Sequence, residues 1–342
     1  MQGTLGALSE IALGARYHKK EVDYLNLKFE SVNKNHVEVA ADLVIDAYRE
    51  ENKVLPYLPA EDNYLNMLRF KMEDLFDNNS GFIAIDDNEV VGFLAGYEIK
   101  ELWGKCKGIY TPLYGNGAVK KYRQKVYQEM YKHVADYWVK KGFTHHGIAL
   151  YAQDVATIDN WFWLGFGLRC VDAIRRVAPI KKSNSSICIK KAEKNDIPYL
   201  ADIENDLHMF FRCSPIFMPR QEEDPIQYLT EWMSNDNHHL WMAYDHEKTI
   251  GFMKIEPTGE RFITEHSTMM NISGAYVDKS FRQLNIGESL LGEIQLWLLE
   301  KDYKLCGVDY ESINILGSNF WKKYFTPYTY SLVRRIDERI LL

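Results

Sequence analysis

The second half of the chain repeats the first at a fixed spacing of 159 residues. Ala84, Asp86, Gly92 and Phe93 fall on Ala243, Asp245, Gly251 and Phe252. Arg123-Gln124 falls on Arg282-Gln283, Trp138 on Trp297, Tyr151 on Tyr310, Phe166 on Phe325, and Arg175-Arg176 on Arg334-Arg335. Aligned without gaps, 84–176 and 243–335 share 16 identities in 93 positions, against roughly six from chance at ordinary residue frequencies. One register that holds through an apolar hairpin, a long helix and two later strands marks two copies of one α/β unit. The length of 342 residues, roughly 2.3 domains at about 150 residues each, is thus divided between two ordinary domains.

The composition, 46% hydrophobic and 26% charged, is that of a globular protein. No stretch approaches the ~18 uncharged apolar residues of a membrane span, so no membrane partner is expected. With 41 basic against 48 acidic residues the net charge is −7, which disfavours binding nucleic acid through bulk charge. Cys106, Cys170, Cys188, Cys213 and Cys306 are scattered and odd in number. That pattern predicts buried free thiols in a reducing cytoplasm and no disulfide framework or metal site. Residues 1–24 read as an N-terminal extension. Their basic residues follow the weakly apolar run, Glu10 interrupts it, and Gly3 is misplaced for myristoylation.

Pro179–Ser186 (PIKKSNSS) is a turn-rich cluster between two strand-like stretches, which places a linker at 179–186 between domains 25–178 and 187–342. The second copy reads as strand 187–192, a helix with Pro198 in its first turn, helix 221–234, strands 239–244, 249–256 and 269–278, helix 287–301, strand 304–310, short helix 314–324 and strand 328–335. The first copy follows it, with strands near 25–32, 81–86, 89–99, 107–113, 145–151 and 168–177 and a long helix over 120–141.

The segment Ala275–Leu291 (AYVDKSFRQLNIGESLL) carries the chemistry. A strand leads through a short loop into a helix N-terminus, whose outward N–H groups and dipole suit a pyrophosphate. Arg282 opens the loop and can pair with a phosphate. Gly287 permits close backbone approach. This order of strand, R-x-x-(G)-x-G loop, helix, strand, short helix and strand resembles the acetyl-CoA-binding core of the GCN5-related N-acetyltransferase (GNAT) family. The match covers both halves, so the chain resembles a tandem member with two α/β (α+β) domains. The resemblance implies for each a mixed, mostly antiparallel sheet flanked by helices.

In the family signature Arg282 takes the first place and Gly287 the last, while Asn285 stands for the first glycine and tolerates the positive φ needed there. The resemblance implies that Ala275, Tyr276 and Val277 pair with the pantetheine arm, and that Arg282, Gln283, Leu284, Asn285, Ile286, Gly287 and Glu288 hold the pyrophosphate. Asn314 and Asn319, on the short helix, join the cofactor set. Asn314 is equally readable as a plain helix cap. In the first copy Val126 and Gln128 stand where Asn285 and Gly287 do. That copy is expected to be a degenerate scaffold shaping the acceptor pocket.

Acyl transfer to an amine needs a base, close placement of both reactants, donors for the oxyanion and a proton for the thiolate. Family members commonly place a Tyr acid on the short helix. Here that position is Trp321, which leaves Tyr324 one turn later as the candidate and Tyr310 as a second. Glu311 is the candidate base, with Asp309, Glu265 and His266 as weaker ones. Two functions follow: an acetyl-CoA-dependent N-acetyltransferase acting on a primary amine of a small molecule, or a catalytically impaired acyl-CoA-binding sensor or scaffold. Transfer of an aminoacyl group from tRNA fits poorly with the acidic charge. Two-copy relatives include synthases of small thiols and antibiotic-modifying enzymes, and no motif here selects one. A monomer or a homodimer is expected.

Overall fold

The computed structural model describes residues 25–60, 64–77, 80–180, 187–219, 224–246, 248–259 and 261–341. The extension 1–24 and residues 181–186 of the linker lie outside these. The first copy runs β1 (Lys28–Ser31), α1 (Val37–Val54), α2 (Tyr64–Asp77), β2 (Gly81–Asp86), β3 (Glu89–Ala95), β4 (Tyr97–Ile99), β5 (Gly108–Thr111), β6 (Asn116–Ala118), α3 (Arg123–Lys140), β7 (His145–Tyr151), α4 (Val155–Trp163) and β8 (Gly167–Arg176). The second runs β9 (Cys188–Lys191), α5 (Ile197–Arg212), α6 (Pro225–Trp232), β10 (His239–Asp245), β11 (Lys248–Glu256), β12 (Met269–Val277), α7 (Ile286–Glu300), β13 (Leu305–Glu311), α8 (Ile315–Trp321) and β14 (Thr326–Arg335).

Local chemistry sets the punctuation. Asp87 and Asn88, with φ 47° and 67°, close the β2–β3 hairpin, where positive φ matches the strand twist. Asp154 caps α4 through the Thr157 N–H at 3.1 Å, and Asn314 caps α8 through the Gly317 N–H at 3.0 Å. Pro198 sits in the first turn of α5, where its missing N–H costs nothing.

The two copies differ at two strands. In the second copy β12 runs unbroken. In the first its counterpart is divided into β5 and β6 around Pro112–Gly115, and the expected strand 89–99 is divided into β3 and β4 at Gly96. Pro112 has no N–H to give a ladder, which favours the break. As a result β1-β2-β3-β6 forms its own four-stranded sheet.

The remaining strands form one ten-stranded sheet in the order β4-β5-β7-β14-β8-β13-β12-β11-β10-β9. Its centre is a reciprocal exchange. The last strand of the first copy, β8, pairs with β13 of the second (Gly307↔Ile174), and β14 of the second pairs with β7 of the first (Leu332↔Ile148). The exchanged strands also pair with each other. The expected linker 179–186 falls between β8 and β9 in sequence, while the sheet crosses between the two copies.

A buried polar clamp locks this seam. Arg261 Nε donates to Asp172 Oδ2 at 2.9 Å, its Nη groups reach Tyr110 and Ser331, and Thr329 donates to Asp172 at 2.6 Å. Both charged side chains are 4% exposed. Of the five cysteines, all free thiols, only Cys306 is buried; Cys188 and Cys213 are exposed, against the expectation of buried thiols. Cys106 lies with His145 and Glu338, their ligand atoms within 4.8 Å of one another, and Arg335 already holds Glu338 at 2.7 Å.

Candidate active site

β12 and β13 pair in parallel from Met269↔Leu305 to Ile272↔Val308, and there the pairing ends. β12 continues through Ser273–Val277 with β11 on its other side only. A register shift at Lys254/Ile255 marks the bulge that turns β12 away. The divergence leaves a backbone edge of peptide groups facing a cleft, suited to an extended amide-bearing arm.

The cleft, about 360 Å³, is lined by Ala275, Tyr276 and Val277 on β12, by Arg282, Gln283, Asn285, Ile286, Gly287 and Glu288 at the start of α7, and by Asn314 and Phe320 of α8. Asn285 has φ 59° and ψ 22°, the left-handed conformation expected of it. The first-turn N–H groups of α7 that follow have no partner within the helix. Arg282 is steadied by its Nε bond to the Val277 carbonyl at 3.2 Å, and its guanidinium lies over the rings of Phe210 and Tyr276 at 5.2 and 5.4 Å. A Cβ on Gly287 would meet the Phe320 ring at 3.4 Å, an ordinary contact. Glycine therefore keeps a slot open here and is not required by the backbone.

Ten of the twelve expected cofactor residues line this cleft. Leu284 is 48% exposed and Asn319 is exposed on α8, and neither is among the lining residues. Leu284 falls between two left-handed residues, Gln283 and Asn285, where the backbone turns its side chain out. Asn314 is a helix cap, and it also borders the cleft.

A second cavity of about 670 Å³ opens on the other side of the divergence and shares Ala275, Asn314 and Trp321 with the first. Asp309, Tyr310 and Glu311 line it from β13. Glu311 accepts from Arg169 at 3.4 Å, and Arg169 stacks over Trp103 at 4.8 Å. The Tyr310 hydroxyl is buried without a partner, and burial pushes its pKa up to about 12. Glu265 and His266 are elsewhere: Glu265 pairs with Lys71 at 2.9 Å and His266 with Thr268 at 3.0 Å.

The structure separates the two expected catalytic residues. Glu311 lies in the second cavity. Tyr324 lines only the cleft, where its hydroxyl donates to Glu288 at 2.8 Å. Burial, and then Glu288, push the Tyr324 pKa up to about 12. Trp321 borders both cavities, as do Ala275 and Asn314.

Sequence reasoning named none of Leu102, Trp103, Tyr110 and Arg169, which the first copy contributes to the second cavity. They arrive through the strand exchange and the β4–β5 loop, and no spacing within either copy announces that. The equivalent space in the first copy is filled by aromatic side chains. Tyr48 meets Tyr64 edge-on at 5.4 Å, and Tyr64 meets Phe262 at 5.2 Å, beside Tyr151 and Tyr328.

Comparison with known proteins agrees with this geometry. Residues 200–314 match the family model described as Acetyltransferase (GNAT) family. A GCN5-related N-acetyltransferase from Sphaerobacter thermophilus superposes with a TM-score of 0.57 over 90% of this chain and 95% of that one, at 11% identity. Another from Kribbella flavida aligns at 11% identity over 92% of this chain and 72% of that one, with a TM-score of 0.45. No match is found among curated proteins. The family match thus lies within the second copy, and the chain as a whole is similar in fold to a GCN5-related N-acetyltransferase. Among the described residues no helix is long and apolar enough to cross a membrane.

Proposed function

We propose that the protein is an acetyl-CoA-dependent N-acetyltransferase acting on a primary amine of a small molecule, with the cofactor held by the second copy. The observation that carries this is the divergence of β12 from β13 beyond Ile272↔Val308, with a cleft that leads to the start of α7 on one side and a larger cavity on the other. The β12 edge takes the pantetheine arm, and the first turn of α7 with Arg282 takes the pyrophosphate. The thioester then lies near Ala275, where the two cavities meet. An amine in the larger cavity attacks the thioester carbonyl, the nitrogen loses its proton to Glu311, and the C–S bond breaks with the electron pair leaving on the thiolate.

A second reading, an acyl-CoA sensor or scaffold, is favoured by Trp321 at the meeting point and by Tyr324 being engaged with Glu288. One experiment separates the two: calorimetric titration with acetyl-CoA, followed by thiol release across a panel of primary amines. The enzyme reading predicts one cofactor per chain and turnover with at least one amine. Tight binding without turnover on any amine selects the sensor. Gly287→Trp, which fills the slot beside Phe320, is expected to weaken acetyl-CoA binding more than about 30-fold, whereas Gly287→Ala stays near wild type. Unchanged affinity in Gly287→Trp would refute the cofactor assignment.

A further inference from the structure

The first copy keeps a cavity of its own, about 720 Å³, between α1, the start of α3, β7 and the cap of α4. It occupies the place of the cofactor cleft, but its arginine is engaged differently. Arg123, the counterpart of Arg282, makes the same backbone bond, here to the Ala118 carbonyl at 3.2 Å. Its guanidinium is taken up by carboxylates, with Glu50 at 2.9 Å and Asp154 at 2.8 Å. No phosphate is needed to neutralise it.

The notch for a pantetheine arm is also closed. Asn116 bonds the Pro112 and Ala149 carbonyls at 3.2 and 3.0 Å, and Tyr127 donates to Asn116 at 2.9 Å. Gln128, where Gly287 stands in the other copy, is bonded to Asn160 at 2.6 Å.

Two buried oxygens in this cavity have no hydrogen-bond partner among the described residues. Glu51 is 2% exposed, one oxygen takes the Gln153 N–H at 3.3 Å, and Oε1 has no partner. The hydroxyl of Tyr151, 8% exposed, has none either. Both residues line the cavity. A buried carboxylate oxygen left unpaired is costly and calls for a donor. Three carboxylates, Glu50, Glu51 and Asp154, share the lining with Arg123 and three lysines, Lys120, Lys121 and Lys125. Lys120, 76% exposed at the rim, pairs with Glu50 at 3.4 Å, which leaves Glu51 as the carboxylate outside these ion pairs. Leu113, Leu150, Tyr122 and Tyr127 give the wall its apolar and aromatic part.

We propose that this cavity binds a small organic ammonium, with the Glu51 carboxylate as its counter-charge and the Tyr151 hydroxyl as a second acceptor. The site is separate from the cofactor cleft and stands whether or not the second copy is catalytic. Burial, the largest effect, raises the Glu51 pKa to about 8. The titratable groups around it are Glu50 and Tyr48 on α1, Lys120, Lys121 and Tyr122 before α3, Arg123, Lys125 and Tyr127 on α3, Tyr151 on β7, Asp154 before α4, and Tyr330 on β14. An arriving ammonium favours the carboxylate, so binding below that pKa expels the Glu51 proton to solvent.

The probes are 2-phenylethylamine, cadaverine and ethanolamine, with 2-phenylethanol as the uncharged control, titrated calorimetrically into the full chain. At least one amine is expected to bind, with 2-phenylethanol at least about tenfold weaker than 2-phenylethylamine. Affinity should rise close to tenfold per pH unit from pH 6 to pH 8, and buffers of different ionisation enthalpy should report close to one proton released at pH 7. Glu51→Gln should lose at least about tenfold and Tyr151→Phe about threefold, while Glu311→Gln leaves this binding unchanged. A thermal melt of Glu51→Gln no lower than wild type shows that the loss is not unfolding. The proposal is overturned by no binding of any amine up to about 10 mM. It is equally overturned by binding that Glu311→Gln removes and Glu51→Gln spares, or by a second equivalent of acetyl-CoA that displaces the amine.

Discussion

Tyr324 and Glu311 line different cavities, and single substitutions test the parts proposed for them. The Tyr324 phenol is a bond to Glu288 at the start of α7, within the cofactor cleft. Tyr324→Phe is therefore expected to raise the KM for acetyl-CoA about three- to tenfold and to change kcat less than about threefold. A kcat loss of about a hundredfold with unchanged KM would instead make its proton part of the chemistry. Glu51 makes a prediction about stability. Its folded pKa, about 8, lies above the ordinary 4.5. Below pH 4.5 both states hold the proton. Between 4.5 and 8 the unfolded chain ionises first, so the stability this carboxyl contributes is lost as pH rises. Glu51→Gln removes that dependence. It should stabilise the protein at pH 8.5 relative to wild type by about 2–4 kcal/mol, and by much less at pH 4.5, measured as urea midpoints.

At the level of elements, two features organise the molecule: the divergence of β12 and the exchange of β8 with β14. The exchange puts a buried charge pair at the seam. Arg261→Met leaves Asp172 with Thr329 and no cation, and is expected to cost about 3–5 kcal/mol in urea denaturation. Adding Asp172→Leu should recover much of that, because both charges are then gone. A chain ending at residue 325 lacks β14, which stands between β7 and β8. Its first copy should fail to give a cooperative melt, whereas 25–178 and 187–342 produced together as separate chains should co-elute as a one-to-one complex.

The elements themselves were legible in the residues. Periodicity placed β2, β7 and most of the second copy within a residue or two, since their apolar positions face one core. The Asn285 turn was legible because few residues tolerate that φ. The exchange was not legible. β8 and β14 carry the same spacing and the same Arg-Arg ending, so nothing local tells either strand which copy of its neighbour to join. The break between β5 and β6 was masked in the same way, by a glycine-bearing run that reads equally well as a turn.

For the molecule as a whole, the two copies have diverged in the space that each keeps open. The second copy keeps an open cleft behind the β12 divergence, while the first fills the equivalent acceptor space with Tyr48, Tyr64, Tyr151 and Tyr328 and lends side chains across the seam. Trp103 is the clearest of these. It belongs to the β4–β5 loop of the first copy, lines the second copy's larger cavity and stacks on Arg169, which in turn holds Glu311. Its φ of 53° is an unfavourable conformation for a bulky side chain. Replacing it with glycine relieves that strain and removes the aromatic wall. Trp103→Gly is therefore expected to leave the melting temperature unchanged or higher. The same variant should raise the KM for the amine acceptor about tenfold and leave acetyl-CoA affinity as it was. A purely structural tryptophan would lower the melting temperature and leave the acceptor KM alone, so calorimetry and steady-state kinetics on this one variant decide whether the first copy takes part in the second copy's site.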